Sequence, residues 1–139
     1  MTDSLPRILM VEDDQDFAFL AKRAFGKAAI PAGLDLVGDG EAALAYLTAS
    51  KPRPPALILL DLKLPKLSGF EVLRWLRKVP EFSGLPVTIL TSSGQDRDRE
   101  EAKRLGADDF KVKPPSYSEL IILLGEVAAR WLPASHRTS

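Results

Sequence analysis

Three short apolar runs that stop abruptly at acids or hydroxyls predict an α/β protein built on a doubly wound parallel sheet. Ile8-Leu9-Met10-Val11 gives way to Glu12-Asp13-Asp14, Leu57-Ile58-Leu59-Leu60 to Asp61, and Val87-Thr88-Ile89-Leu90 to Thr91-Ser92-Ser93. Unbroken apolar runs bounded by polar residues suit strands covered on both faces by helices. Helical stretches alternate with these runs along the chain, five strands with five helices, which implies parallel pairing through right-handed crossovers. A chain of 139 residues with 45% hydrophobic content supports one core and leaves no room for a second domain.

Each element has its own signal. After the first strand, Phe17, Leu20, Ala21, Ala24 and Phe25 recur at helical offsets and mark one buried stripe, with Asp14 and Asp16 suited to the helix start. Pro31-Ala32-Gly33 breaks the chain before a strand at Leu34 to Val37, and Gly38-Asp39-Gly40 turns it into an Ala/Leu-rich helix over 41–49. Lys51-Pro52-Arg53-Pro54-Pro55 ends that helix. The run ending at Asp61 follows, then a loop through Pro65 and Ser68-Gly69 and a helix over 70–78. Pro80 and Gly84-Leu85-Pro86 punctuate before the strand ending at Thr91, and a strongly polar helix over 95–104 leads through Gly106 to a short strand over 110–112. Lys113-Pro114-Pro115 closes it, and Ser116-Tyr117-Ser118-Glu119 has capping-box spacing for a final helix reaching Leu132. Residues 1–132 read as the domain and 133–139 as a disordered tail.

Composition narrows the function. The 19 basic and 19 acidic residues balance without a long like-charged block, which argues against nucleic acid or an anionic membrane surface as partner. The absence of cysteine removes disulfides, thiolate metal sites and thiol catalysis. No stretch approaches the roughly 20 apolar residues of a membrane span, and the first run is too short for a signal peptide, so a soluble cytoplasmic protein is the default expectation.

Open parallel sheets bind ligands at their carboxyl ends. There Asp13 and Asp61 would meet, with Thr91 beside them and Lys113 after the last strand. Two carboxylates about 4 Å apart repel by on the order of 4 kcal/mol at an effective dielectric near 20. A cation must relieve this, and oxygen-only ligands favour a hard ion such as Mg²⁺ that keeps waters and takes a phosphoryl oxygen. In phosphoryl transfer a carboxylate can attack phosphorus, a metal and an ammonium spread the charge, and a hydroxyl can bond the phosphoryl oxygens. Asp61, the metal, Lys113 and Thr91 match those parts.

Taken together, Glu12-Asp13-Asp14, Asp61 within Leu-Asp-Leu-Lys-Leu-Pro, Thr91 and Lys113-Pro114 resemble, over about residues 7–132, the receiver domains of two-component response regulators. The resemblance implies a flavodoxin-like (βα)5 sheet in strand order 2-1-3-4-5. It implies Asp61 as acceptor of phosphate from a sensor histidine kinase, with Asp13 and Asp61 as direct Mg²⁺ ligands, Glu12 acting through water and Lys63 giving its backbone carbonyl. Thr91 would bond the phosphoryl oxygens, Lys113 would pair with them, and Thr91 and Phe110 would form the switch. Phe110 departs from the Tyr common at that position, so a hydroxyl readout is missing. The resemblance also allows a cis Lys113–Pro114 bond, and lets Ser93 and Lys63 tune phosphate lifetime. Val11 to Asp16, Leu90 to Ser93 and the Arg/Asp-rich helix after them further resemble single-domain regulators paired with bacterial phytochrome kinases.

Plainer readings stand beside these. A lone strand-ending Asp is usually a turn or cap residue, Asp14 and Asp16 suit a first helical turn, and Ser93 suits a cap. The polar helix has a thin stripe, chiefly Ala102 and Leu105, which suits a switch surface or an ordinary edge helix. Leu120-Ile121-Ile122-Leu123-Leu124 exceeds one buried stripe, so a homodimer through the final helix is a candidate. Trp75 and Trp131 read as packing residues and His136 as a bystander. With no output domain attached, a changed protein surface or onward transfer to a phosphotransfer protein would carry the signal. The rival reading is a Mg²⁺-dependent phosphatase with an aspartyl nucleophile, but the acid such enzymes need two residues later is Lys63 here. A nucleotide or flavin module lacks a glycine-rich anion cradle after the first strand. A structural domain with a decayed site is disfavoured by the intact acids, Thr91 and Lys113.

Overall fold

The computed structural model describes residues 5–133, and the expected tail beyond Pro133, with His136, lies outside them. Among the described residues, strands β1 (Arg7–Val11), β2 (Gly33–Val37), β3 (Leu57–Leu60), β4 (Val87–Thr91) and β5 (Asp109–Val112) form one sheet. Its order is β2-β1-β3-β4-β5, as the resemblance implied. All pairings are parallel, with Val11 opposite Leu60 and Leu60 opposite Ile89. Helices α1 (Gln15–Lys27), α2 (Gly40–Ala49), α3 (Gly69–Lys78), α4 (Asp96–Arg104) and α5 (Tyr117–Trp131) complete the domain. None of them is long and apolar enough to cross a membrane.

The central strands bury both faces, and their alternation splits the core in two. Leu9, Val11, Ile58, Leu60, Val87 and Ile89 pack toward α2 and α3, against Ala43, Leu47, Val72, Leu73 and Leu76. Ile8, Met10, Leu57, Leu59 and Leu90 pack the other way, against Ala21, Ala24 and Phe25 of α1 and Leu120, Leu124 and Val127 of α5. Burying every side chain of β1 after Arg7, and of β3 and β4, makes these strands rigid supports for whatever follows them.

Helix starts follow local chemistry. Asp14 caps α1 by accepting from the Asp16 and Phe17 amides, and Asp39 caps α2 by accepting from Ala42. Ser116 accepts from the Glu119 amide at 3.2 Å at the start of α5, as its spacing predicts. A reciprocal capping box sits at α3 instead, where Ser68 accepts from Glu71 and the Glu71 carboxylate accepts from the Ser68 amide. That S-x-x-E signature lies where the sequence reads as a loop.

Three sequence expectations are corrected. Leu20 is 41% exposed because the buried stripe of α1 runs through Ala21, Ala24 and Phe25, one position round the helix. Ser93 does not cap α4; Gln95 holds that position, and the Ser93 hydroxyl donates to Asp98 in the first turn at 2.6 Å. Among the described residues no peptide bond is cis, so Lys113–Pro114 has the trans form that X–Pro bonds ordinarily take. The apolar run of α5 divides as its length implied: Leu120 and Leu124 are buried while Ile122, 60% exposed, faces out.

Two polar clamps tie the helices to the sheet. Arg77, at the end of α3, donates to the carbonyls of Phe82 at 3.1 Å, Leu85 at 2.9 Å and Gly106 at 2.8 Å, and to Asp108 at 3.0 Å. Gly106 takes a φ of +104°, the left-handed region that favours glycine, which turns its carbonyl out of α4 toward that arginine. On the other edge, Asp35 of β2 accepts from Arg7 of β1 and from the Tyr46 hydroxyl of α2. Burial, then the Asp35 carboxylate, hold the Tyr46 phenol up at about 12 instead of 10.0. A phenol whose pKa is raised by folding contributes stability that is full below pH 10 and is lost as pH climbs toward 12. Tyr46→Phe should flatten that decline, so urea midpoints across this range should converge for variant and wild type. Equal slopes would show that the phenol proton is not linked to folding.

Candidate functional site

The acids gather at the carboxyl edge because the ladder carries them there. The Glu12 amide donates to the Val37 carbonyl at 3.0 Å, the Asp61 amide to Val11 at 3.1 Å, and the Lys113 amide to Thr91 at 2.8 Å. The residues just after β1, β3 and β5 are thereby fixed by backbone bonds rather than by loop conformation. Gly69 closes the β3–α3 loop over this edge, its amide donating to Leu62 at 2.9 Å. Any Cβ at Gly69 would run into the Asp61 carbonyl oxygen and come within 2.7 Å of the Leu62 Cα, so only glycine lets α3 start this close to Asp61.

Lys113 is the hub. Its Nζ lies 2.9 Å from Glu12 Oε1 and 3.1 Å from Asp61 Oδ2, with both carboxylates buried at 5% exposure. Burial pushes the Glu12 carboxyl above its ordinary 4.5, helped by the Asp61 charge and opposed by Lys113 and the Asp14 amide. Burial alone would lower the Lys113 pKa, but Glu12 and Asp61 together hold it above 10.5. Asp13 is exposed, and ligand oxygens from Glu12, Asp13 and Asp61 all lie within 4.8 Å of one another. Three carboxylates without nitrogen or sulfur donors form a donor set suited to a hard divalent cation.

The remaining predicted residues are placed as follows. Thr91 ends β4 fully buried, with its Oγ1 3.5 Å from the Ser93 amide. The Lys63 amide faces Asp61 Oδ1 at 3.4 Å, which sets Lys63 beside the acid pocket. Phe110, half-buried on β5, carries the Arg99 guanidinium of α4 over its ring at 4.5 Å. Asp14 serves as the cap of α1, and its amide also donates to Glu12 Oε2 at 3.1 Å. Sequence reasoning missed Phe17, whose ring face lies 4.4 Å from Lys113 Nζ. Its helical spacing marks it as a core residue and gives no hint of a lysine nearly a hundred positions away.

A doubly wound sheet with acids after β1 and β3, a buried threonine after β4 and a lysine after β5 defines a phosphoacceptor switch class. Residues 8–124 match the family described as the response regulator receiver domain, and the chain belongs to it. The chain is 34% identical over 128 residues to the probable methanogenesis regulatory protein FilR2 of Methanothrix harundinacea (strain 6Ac), covering 90% of this chain and 83% of that protein. Among solved structures it resembles the phosphorylated cyanobacterial phytochrome response regulator RcpA, with a TM-score of 0.84, 30% identity and coverage of 92% and 94%. It is equally similar, at a TM-score of 0.84, 30% identity and coverage of 93% and 99%, to the response regulator RPA3017 in red light signaling of R. palustris. It also matches several transcriptional regulators, of which it spans about half the length, from 45% to 56%. Receiver domains are phosphoacceptor switches rather than conventional enzymes, they work with sensor histidine kinases, and they generally bind Mg²⁺.

Removing one member of a buried charge cluster leaves the others uncompensated. Lys113→Met should therefore lower stability by about 3 kcal/mol in chelator-containing buffer, measured by urea denaturation. Adding Glu12→Gln to that variant should recover part of the loss. No recovery would show that Glu12 is not the strained partner.

Proposed function

We propose that this receiver unit, residues 1–132, accepts a phosphoryl group from a phosphohistidine on Asp61. The observation that carries this reading is the buried cluster in which Lys113 bridges Asp61 and Glu12. An Asp61 carboxylate oxygen attacks phosphorus, the P–N bond breaks, and its electron pair leaves with the imidazole, which takes up a proton. Lys113 pairs with the phosphoryl oxygens as the acyl phosphate forms, and the Thr91 hydroxyl bonds one of them. Asp13 and Asp61 would hold Mg²⁺ directly, Glu12 through water and Lys63 through its carbonyl; the ion supplies charge neutralisation of the phosphoryl oxygens. Lys63, placed two residues after the nucleophile, leaves no acid there to drive rapid hydrolysis.

The domain acts in this reading as a switch with slow self-catalysed loss of phosphate. Thr91 and Phe110 pass the change to α4, and Ser93 and Lys63 border the phosphoryl site. The likeness to RcpA and RPA3017 supports a bacteriophytochrome kinase as the phosphodonor. Exposed Ile122 supports self-association along α5 as one output; onward transfer to a phosphotransfer protein is the other output this reading allows. An unchanged monomer mass at all concentrations, with and without beryllofluoride, would remove the first.

Acetyl phosphate with Mg²⁺ should add one phosphoryl group to the intact protein by mass spectrometry, and Asp61→Asn should abolish it. Undiminished labelling of the variant would remove Asp61 as acceptor. Turnover of p-nitrophenyl phosphate should be slow; rapid multiple turnover would support the phosphatase reading instead.

A further inference from the structure

We propose that Phe17 is a positioning residue for Lys113, its ring face fixing the ammonium against Asp61 while leaving an N–H free for the phosphoryl group. This inference rests on the phosphoacceptor reading above. Lysine reaches its target on a long flexible stem, and whatever holds its ammonium must overcome that freedom. An ammonium has three N–H donors. Glu12 at 2.9 Å and Asp61 at 3.1 Å engage two of them. A third acceptor would hold the group as well but would consume the donor an incoming phosphoryl oxygen needs. A ring face attracts the cation through its quadrupole and takes no lone-pair contact. Phe17 provides that face at 4.4 Å.

The ring is held in place by the same acid cluster. Glu12 Oε2 accepts from the Asp14 amide at 3.1 Å, and Asp14 Oδ1 in turn accepts from the Phe17 amide at 3.2 Å. The side chain packs against the core between the sheet and α1 and α5. Glu12 thus grips Lys113 with one oxygen and anchors the cap that presents Phe17 with the other. A residue serving the core alone would need no alignment with the ammonium.

The decisive comparison separates a ring from mere apolar bulk. Phe17→Leu keeps the apolar character and loses the quadrupole, whereas Phe17→Tyr and Phe17→Trp keep a ring. With acetyl phosphate and saturating Mg²⁺, the Leu variant should phosphorylate slower by a factor of about three to ten, and the Tyr and Trp variants should stay close to wild type. Thermal stability, measured in parallel, should not rank the variants in that order, because Trp disturbs packing more than Leu. The second measurement is made on the wild-type protein. Ring current from Phe17 should move the Lys113 ε-methylene protons upfield of the other lysines in proton–carbon NMR spectra.

A Leu variant as fast as wild type, rates that follow thermal stability, or an unshifted Lys113 signal would overturn the role. Should the Leu variant fail to fold, the wild-type NMR signal decides alone. Wild-type labelling that Asp61→Asn abolishes keeps the phosphoacceptor reading intact whatever the Phe17 variants do. Absence of labelling in wild type would overturn both.

Discussion

The contact on which the site depends is the pair of charge-assisted bonds from Lys113 to Glu12 and Asp61. It joins three strands that are distant in sequence, and it permits two carboxylates to be buried side by side. Without a cation their repulsion and lost hydration would drive one of them to the neutral form, and the upward displacement of Glu12 shows that this tension is present even with Lys113 in place. A cluster held at that balance is responsive: added positive charge relaxes it and added negative charge redirects the lysine. A site for binding an ion and a phosphoryl group together needs that property.

The rest of the fold serves to keep this cluster fixed while its surroundings yield. β1, β3 and β4 are buried on both faces, so the residues that follow them inherit rigid positions. α3 is locked by its capping box, by close contact of Gly69 with Asp61, and by Arg77 reaching across to the α4–β5 turn. α4 has neither a capping box nor such a close backbone approach to the site. It starts without a side-chain cap and buries only Ala102. Stability is unevenly distributed as a result, with the least anchored helix lying beside the strand that carries Phe110.

The sheet, its element order and the gathering of Asp13, Asp61 and Lys113 at one edge were legible because strand burial writes itself as continuous apolar runs, and because strand ends are marked by a change to polar residues. Boundaries shifted by one or two positions, as at β1, which begins at Arg7 to pair with Gly33. What escaped depends on tertiary distance. Leu20 and Ala21 both satisfy a helical stripe, and only the position of α5 decides that Ala21 is the buried one. Phe17 reads as core from spacing, and its contact with Lys113 exists only once the sheet brings the residue after β5 to the same edge as the start of α1. The Ser68–Glu71 box was visible in principle, but Pro65 and Ser68-Gly69 dominate a reading of that stretch as loop.

Phe110 shows how a missing atom changes what a switch must rely on. A tyrosine there could use its hydroxyl to report its position; phenylalanine has only shape and a quadrupole. In this protein the ring is half-buried against the core and covered by the Arg99 guanidinium at 4.5 Å. Such a contact is worth about 0.5–1 kcal/mol at an exposed site, comparable to a net hydrogen bond. Arg99 lies on the weakly anchored α4, so any inward movement of the ring changes what α4 rests on and any movement of α4 changes what covers the ring. In the proposed switch, packing and a single cation would therefore supply the coupling between site and surface that a hydroxyl would otherwise share.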